Sequence, residues 1–84
     1  MKHFTSSDFW KLYRKLPKKV RLLADKSYEL LKADPRHPSL QLKRLEELWS
    51  VRVGLHYRAI GIDAPGGIQR IWIGSHAEYD EYYG

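Results

Sequence analysis

Two periodicities divide the chain. Phe9, Leu12, Tyr13 and Leu16 fall at i, i+3, i+4 and i+7, one face of a helix. Ser6 or Ser7 can cap it, and Asp8 is favourable in its first turn. Pro17 ends this helix and can open the next, because its missing N–H costs nothing at a helix start. A second stripe, Val20, Leu23, Ala24, Leu30 and Leu31, predicts a helix over about residues 18–33, with Ser27 allowing close approach. The segment Asp34-Pro35-Arg36-His37-Pro38 stops it. The tight joint predicts an antiparallel helical hairpin.

Beyond Pro38 the period falls to two. Residues 40–45 read as a short strand or a loop, and Glu46-Glu47 as a turn. Trp49, Val51 and Val53 alternate with Ser50 and Arg52, the pattern of a half-buried strand. Gly54 offers a reversal into a second strand over 55–63. That strand sets Tyr57, Ala59 and Gly61 on one face and His56, Arg58, Ile60 and Ile62 on the other. Ala64-Pro65-Gly66-Gly67 is a turn. A third strand, 68–74, sets Ile68 and Trp72 against Ile71 and Ile73; apolar on both faces, it belongs inside the sheet. Residues 2–5 can add an edge strand, and 78–83 a last helical turn. The expected fold is α+β: an N-terminal two-helix hairpin packed on a three- or four-stranded antiparallel sheet, one domain over residues 1–84. The helices cover one sheet face and leave the other for solvent or a ligand.

Charge points to a polyanion. The net charge is +5, and the stretch from Lys11 to Lys26 holds seven basic residues, Lys18 and Lys19 among them, against the single acid Asp25. Such a body attracts nucleic acid, or alternatively an acidic protein. There is no cysteine, so neither disulfides nor a thiolate metal site supports the fold. No apolar stretch approaches the roughly 20 residues that span a bilayer. The N-terminal residues also lack the apolar core of a signal peptide. A cytoplasmic protein with no membrane association is expected.

Candidate chemistry gathers on one sheet face. If the two strands around Gly54 pair as neighbours, Arg52 and Arg58 converge there, and forked guanidinium donors suit phosphate oxygens. His56 shares the face of Arg58. His76 emerges at the end of the third strand, followed by Tyr79 and Tyr82. Histidine is the side chain whose ordinary pKa lies nearest neutral pH, which suits proton transfer. Arginine, histidine and tyrosine can together serve a phosphodiester without metal. The acids Glu78, Asp80 and Glu81 are read as solvated charges: no paired ligand spacing supports a metal site, and no cofactor is implied. Trp10, Trp49 and Trp72 read as core or rim anchors, and His3 and His37 as surface residues.

The segments "LWSVRVGLHYRAIGID" and "RIWIGSHAEYDEYY", behind two helices, resemble the RelE/ParE superfamily of toxins from type II toxin–antitoxin systems. The resemblance covers nearly the whole chain. It implies the RelE-like microbial RNase fold and one of two activities. RelE-like members cleave mRNA in the ribosomal A site, without metal, using the RNA 2′-hydroxyl as nucleophile; ParE-like members inhibit DNA gyrase. The histidine ending favours the first, and a decayed RNA- or antitoxin-binding module is a third reading. By position, Arg52 and Arg58 match basic residues of the sheet face, with Arg58 contacting the scissile phosphate. His76 matches the arginine or histidine after the last strand, and Tyr82, or Tyr79, a functional tyrosine. Lys43 and Arg44 fall in a basic segment ahead of the sheet that helps bind RNA. Ser50 stands where RelE has a second lysine. The resemblance also implies an antitoxin partner, with a toxin monomeric alone and oligomeric in the complex.

Overall fold

Ser6 caps the first helix: its Oγ accepts a hydrogen bond from the Phe9 backbone N–H at 3.1 Å, and helix α1 runs Ser7–Arg14. The computed structural model describes residues 2–84. After Pro17 comes α2, Lys18–Ala33, ended at Asp34 ahead of Pro35. The two helices lie on the sheet side by side and are tied by the Tyr13 hydroxyl, which donates to Asp25 at 2.7 Å. Val20 and Ala24 are the buried positions of α2, whereas Leu22 and Leu23 are exposed. The apolar stripe of α2 is therefore narrower than its sequence suggests.

The strands are β1 (Lys2–Thr5), β2 (Lys43–Leu45), β3 (Leu48–Val53), β4 (Tyr57–Ala64) and β5 (Gly67–Ser75), in the order β1-β5-β4-β3-β2. The sheet thus has five strands rather than three or four. Lys43–Leu45 pairs antiparallel with β3, and Lys2–Thr5 joins β5 as a parallel edge. A short 3-10 turn, Pro38–Leu40, precedes β2 and buries Leu40. β5 lies inside the sheet, as its two-sided apolar pattern requires. At the β3–β4 turn Gly54 takes φ +63°, a left-handed conformation that favours glycine. Leu23 closes over it, 2.9 Å from where a Cβ would sit.

A β-bulge between Ile60 and Gly61 changes the phase of β5. Ile60 pairs with Trp72, but Gly61 pairs with Arg70, leaving Ile71 as the extra residue. Ile68 and Trp72 therefore face opposite sides, contrary to simple alternation. Arg70 turns under the helices, its guanidinium carbon 3.9 Å from the Tyr28 ring centroid and 4.8 Å from that of Phe9. The core on this side joins Phe9 and Ala24 to Val53 and Ile73, with Leu12, Tyr13, Leu16, Tyr57 and Ala59 packed around them.

The opposite face is only partly covered, and Phe4 on it stays exposed. A third helix, α3 (His76–Tyr82), folds back over it. Its N-terminus is fixed by a capping box: Ser75 Oγ accepts from the Glu78 N–H at 3.1 Å, and the Glu78 carboxylate accepts from the Ser75 N–H at 3.1 Å. Gly74 makes the fold-back possible, because a Cβ there would stand 2.6 Å from the Trp72 ring and 3.2 Å from the Glu78 carboxylate. Trp72 receives Tyr82 and Tyr83 edge-on, at centroid distances of 6.4 and 5.4 Å. Among the described residues no helix is long and apolar enough to cross a membrane.

Candidate active site

Arg52 and Arg58 are direct cross-strand partners, and Gly74 completes the row on β5. The pairing sets both guanidinium groups on the face that carries α3, at the β3–β4 turn end of the sheet. Like charges facing each other across a strand pair repel. The two side chains are held in different ways. Arg52 Nε donates to the Gly54 carbonyl at 2.9 Å, which turns it toward the end of the sheet.

Arg58 is 3% exposed. Its Nε donates to Ser50 Oγ at 2.8 Å, and Ser50 is itself fully buried. Its Nη2 donates to the Gln41 carbonyl at 3.3 Å, an oxygen presented by a left-handed residue at φ 44°. The Tyr79 ring lies over the guanidinium, 5.0 Å from its centre. Among the described residues no carboxylate lies within 4 Å of it. Burial pushes the Arg58 pKa below the ordinary arginine value; the nearby Tyr79 and Asp80 oppose that shift and Arg52 adds to it. Ser50, Gln41 and Tyr79 are thus the groups in direct contact with the guanidinium.

His76 opens α3, and its backbone N–H donates to the His56 carbonyl at 2.6 Å. That bond pins the end of β5 to the β3–β4 turn. The imidazole is half exposed, and its ring centroid is 5.8 Å from that of Tyr79. Tyr79 thus touches both the histidine and the arginine. Nδ1 of His76 lies 3.1 Å from an Asp80 carboxylate oxygen, one helical turn on.

The remaining predicted residues divide. Lys43 pairs with Ser50, so it belongs to the Arg58 face, and its side chain is exposed. Arg44 does not join it. Alternation sends Arg44 to the other face, where it forms a bidentate pair with Asp63 and stacks on Trp49 with its guanidinium carbon 4.5 Å from the ring centroid. Lys18 and Lys19 lie on α2, which packs on that same other face. His56 sits in the turn rather than on a strand and contributes its carbonyl; its side chain is exposed. Tyr82 is 62% exposed and leans on Trp72, whereas Tyr79 is buried at the site. Nor are the acids of the closing tract all idle: Glu78 caps α3 and Asp80 meets His76. Their signals were the Ser-x-x-Glu spacing and the i, i+4 His–Asp spacing. His3 is half buried rather than on the surface, packed edge-on to Tyr28. Among the described residues no three His, Asp or Glu side chains are placed to hold a metal ion.

Residues 18–81 match the family model of the ParE-like toxin domain. The chain belongs to the RelE/ParE superfamily of toxins. Solved structures of the superfamily share its fold. A chain of the RelB–RelE antitoxin–toxin complex of Methanococcus jannaschii superposes with TM-score 0.73 at 15% identity, over 96% of this chain and 99% of that one. The YoeB/ParE toxin of Agrobacterium tumefaciens gives 0.70 at 16% identity, over 90% and 99%. The isolated RelE toxin of E. coli gives 0.65 at 19% identity, over 94% and 90%. No curated protein matches the sequence. In this RelE/ParE toxin the arginine pair and the histidine stand at one end of the sheet, on the face that α3 covers.

Proposed function

We propose that this toxin is a metal-independent endoribonuclease that cleaves mRNA on the ribosome and is neutralised by a cognate antitoxin. The observation that carries the reading is the buried guanidinium of Arg58, with no carboxylate within 4 Å among the described residues, paired across the strands with Arg52 and lying under the Tyr79 ring that also meets His76. Arg58 and Arg52 neutralise the phosphodiester and stabilise the charge that grows as the transition state forms. The RNA 2′-oxygen attacks the adjacent phosphorus, its proton passes to His76, and the bond to the 5′-oxygen breaks. The 5′-oxygen takes a proton from water, and His76 returns its own to solvent, leaving a 2′,3′-cyclic phosphate. Arg58 lies beneath the Tyr79 ring, so contact with a phosphodiester requires that side chain to move aside. Lys43 on the same face extends the basic surface for RNA. The many basic residues, and the complexes in which RelE folds of this kind occur, support an acidic antitoxin segment as the neutralising partner.

The test is primer extension on ribosome-bound mRNA with the wild type, Arg58→Met and His76→Ala. The wild type is expected to give discrete stops that both variants lose. Equal cleavage by His76→Ala removes His76 from the mechanism. No cleavage by the wild type sinks the enzyme. A second reading is a non-enzymatic inhibitor of DNA gyrase, which the match to a ParE-like toxin domain leaves open. Stoichiometric inhibition of gyrase supercoiling that survives His76→Ala would establish it instead.

A further inference from the structure

We infer that Asp80 is a positioning residue for His76, holding the imidazole in one tautomer so that Nε2 is the atom that takes the proton. The inference rests on the proposed ribonuclease reading for its consequence, but its geometry stands apart from it. His76 is the first residue of α3, and its backbone is fixed from both sides. Ser75 before it is locked by the capping box, and its own N–H is bonded to the His56 carbonyl. Only the side-chain torsions are left free. Side chains of a helix lean toward its N-terminus, so a residue at i+4 reaches back over residue i. Asp80 uses that lean: its carboxylate oxygen comes within 3.1 Å of His76 Nδ1.

A carboxylate with no proton can only accept. Nδ1 must therefore carry the hydrogen, and Nε2 keeps its lone pair. Without such a partner a neutral imidazole exchanges between its two tautomers and rotates about its torsions. The carboxylate also stabilises the imidazolium that exists after the 2′-hydroxyl proton has moved. Around His76, Tyr79 presents its ring, the His56 carbonyl accepts from the His76 backbone N–H, and Arg58 is a donor.

Asp80 is otherwise misplaced. A negative charge in the neighbourhood of Arg58 weakens the attraction of this surface for RNA. Removing it therefore moves binding and turnover in opposite directions, which a merely helix-stabilising role does not predict. Alanine is also the best helix former, so Asp80→Ala leaves α3 intact.

The experiment uses the purified toxin and two readouts. Long-range 1H–15N NMR of the His76 ring is expected to show the Nδ1–H tautomer in the wild type and a shift toward Nε2–H in Asp80→Ala. Unchanged ring shifts in the variant, or an Nε2–H wild type, overturn the assignment whether or not the protein cleaves RNA. Cleavage kinetics in Asp80→Ala are expected to show kcat lowered on the order of tenfold, with KM unchanged or lower. Asp80→Glu is expected to recover part of kcat. An unchanged kcat with the tautomer lost would overturn the catalytic consequence, and absence of wild-type cleavage would overturn the ribonuclease reading while the NMR result still decides the position of the ring.

Discussion

Arg58 should cost the fold stability, and removing it with its acceptor should make the protein harder to unfold. The guanidinium is 3% exposed and faces no carboxylate within 4 Å among the described residues. Burying an ion costs several kcal/mol after relaxation. Against this stand one good charged hydrogen bond, to Ser50 at 2.8 Å, worth about 2 kcal/mol. A long one, to Gln41 at 3.3 Å, adds about 0.5 kcal/mol. The Tyr79 ring at 5.0 Å contributes about 1 kcal/mol. The sum leaves Arg58 near neutral or slightly unfavourable. A methionine in the same space gains about 1.5–2 kcal/mol by burial alone, but in the single variant it strands the Ser50 hydroxyl at a cost of about 1 kcal/mol. Ser50→Ala alone strands a buried charged donor and loses about 2 kcal/mol. The expected order of stability is therefore Ser50→Ala/Arg58→Met first, then Arg58→Met, the wild type, and Ser50→Ala last. The double variant should rise by about 2 kcal/mol, roughly 8–16 °C in Tm for a domain of this size. Circular-dichroism melts and urea titrations read the order directly. A double variant less stable than the wild type would show that Arg58 is a net structural asset. Arg58 would then be a structural residue and not an anion clamp.

Three further outcomes follow from the packing. Phe9→Ala removes a ring that is 1% exposed at the centre of the helix–sheet core and should lose about 3–5 kcal/mol in urea titrations. Glu78→Ala breaks one half of the capping box and should cost about 1 kcal/mol locally, read as faster amide exchange in α3 with β4 unchanged. His3 carries the clearest pH dependence: burial first, then Arg70, lowers its pKa below the ordinary value of 6.5. A base with a depressed folded-state pKa binds fewer protons when folded, so stability should fall as pH drops through 6.5 toward that lower value. The wild type should lose more Tm than His3→Gln over that window, and equal slopes would refute the cause.

Local patterning carries most of the fold. The α1 stripe, the Pro17 joint, the α2 bounds and the Gly54 reversal follow from spacing and turn chemistry, because each depends on residues within a few positions. What escapes is what depends on partners far along the chain. Residues 2–5 were legible as an edge strand, but not their parallel pairing with β5. The bulge opposite Gly61 is invisible to a period of two, yet it sends Arg70 under the helices and Trp72 under α3. At the candidate site the facing of Arg52 and Arg58 was legible from alternation around Gly54. The burial of Arg58 was not, because it depends on the closing helix folding back over Gly74. The separation of Lys43 from Arg44 follows from strand alternation once residues 43–45 are known to pair with β3.

Ser50 shows how composition and burial constrain each other at this site. It stands where the RelE resemblance puts a second lysine, and that difference alone suggests a weaker phosphate grip. The structure gives it another meaning. Ser50 is fully buried beside Arg58, and its hydroxyl is the best acceptor the guanidinium has. A lysine there would bring a second unpaired cation into the same enclosed space, at a cost of several kcal/mol. It could be accommodated only by lifting α3 to admit water. The serine and the closed helix therefore belong together: one cation is given up, and the remaining one is held rigidly under Tyr79. Ser50→Lys should consequently lose amide protection across His76–Tyr82 before it loses protection in β3 and β4. Retained protection of α3, with an unchanged Tm, would mean that the enclosure around Arg58 tolerates a second charge. The link between burial and positioning would then have to be abandoned.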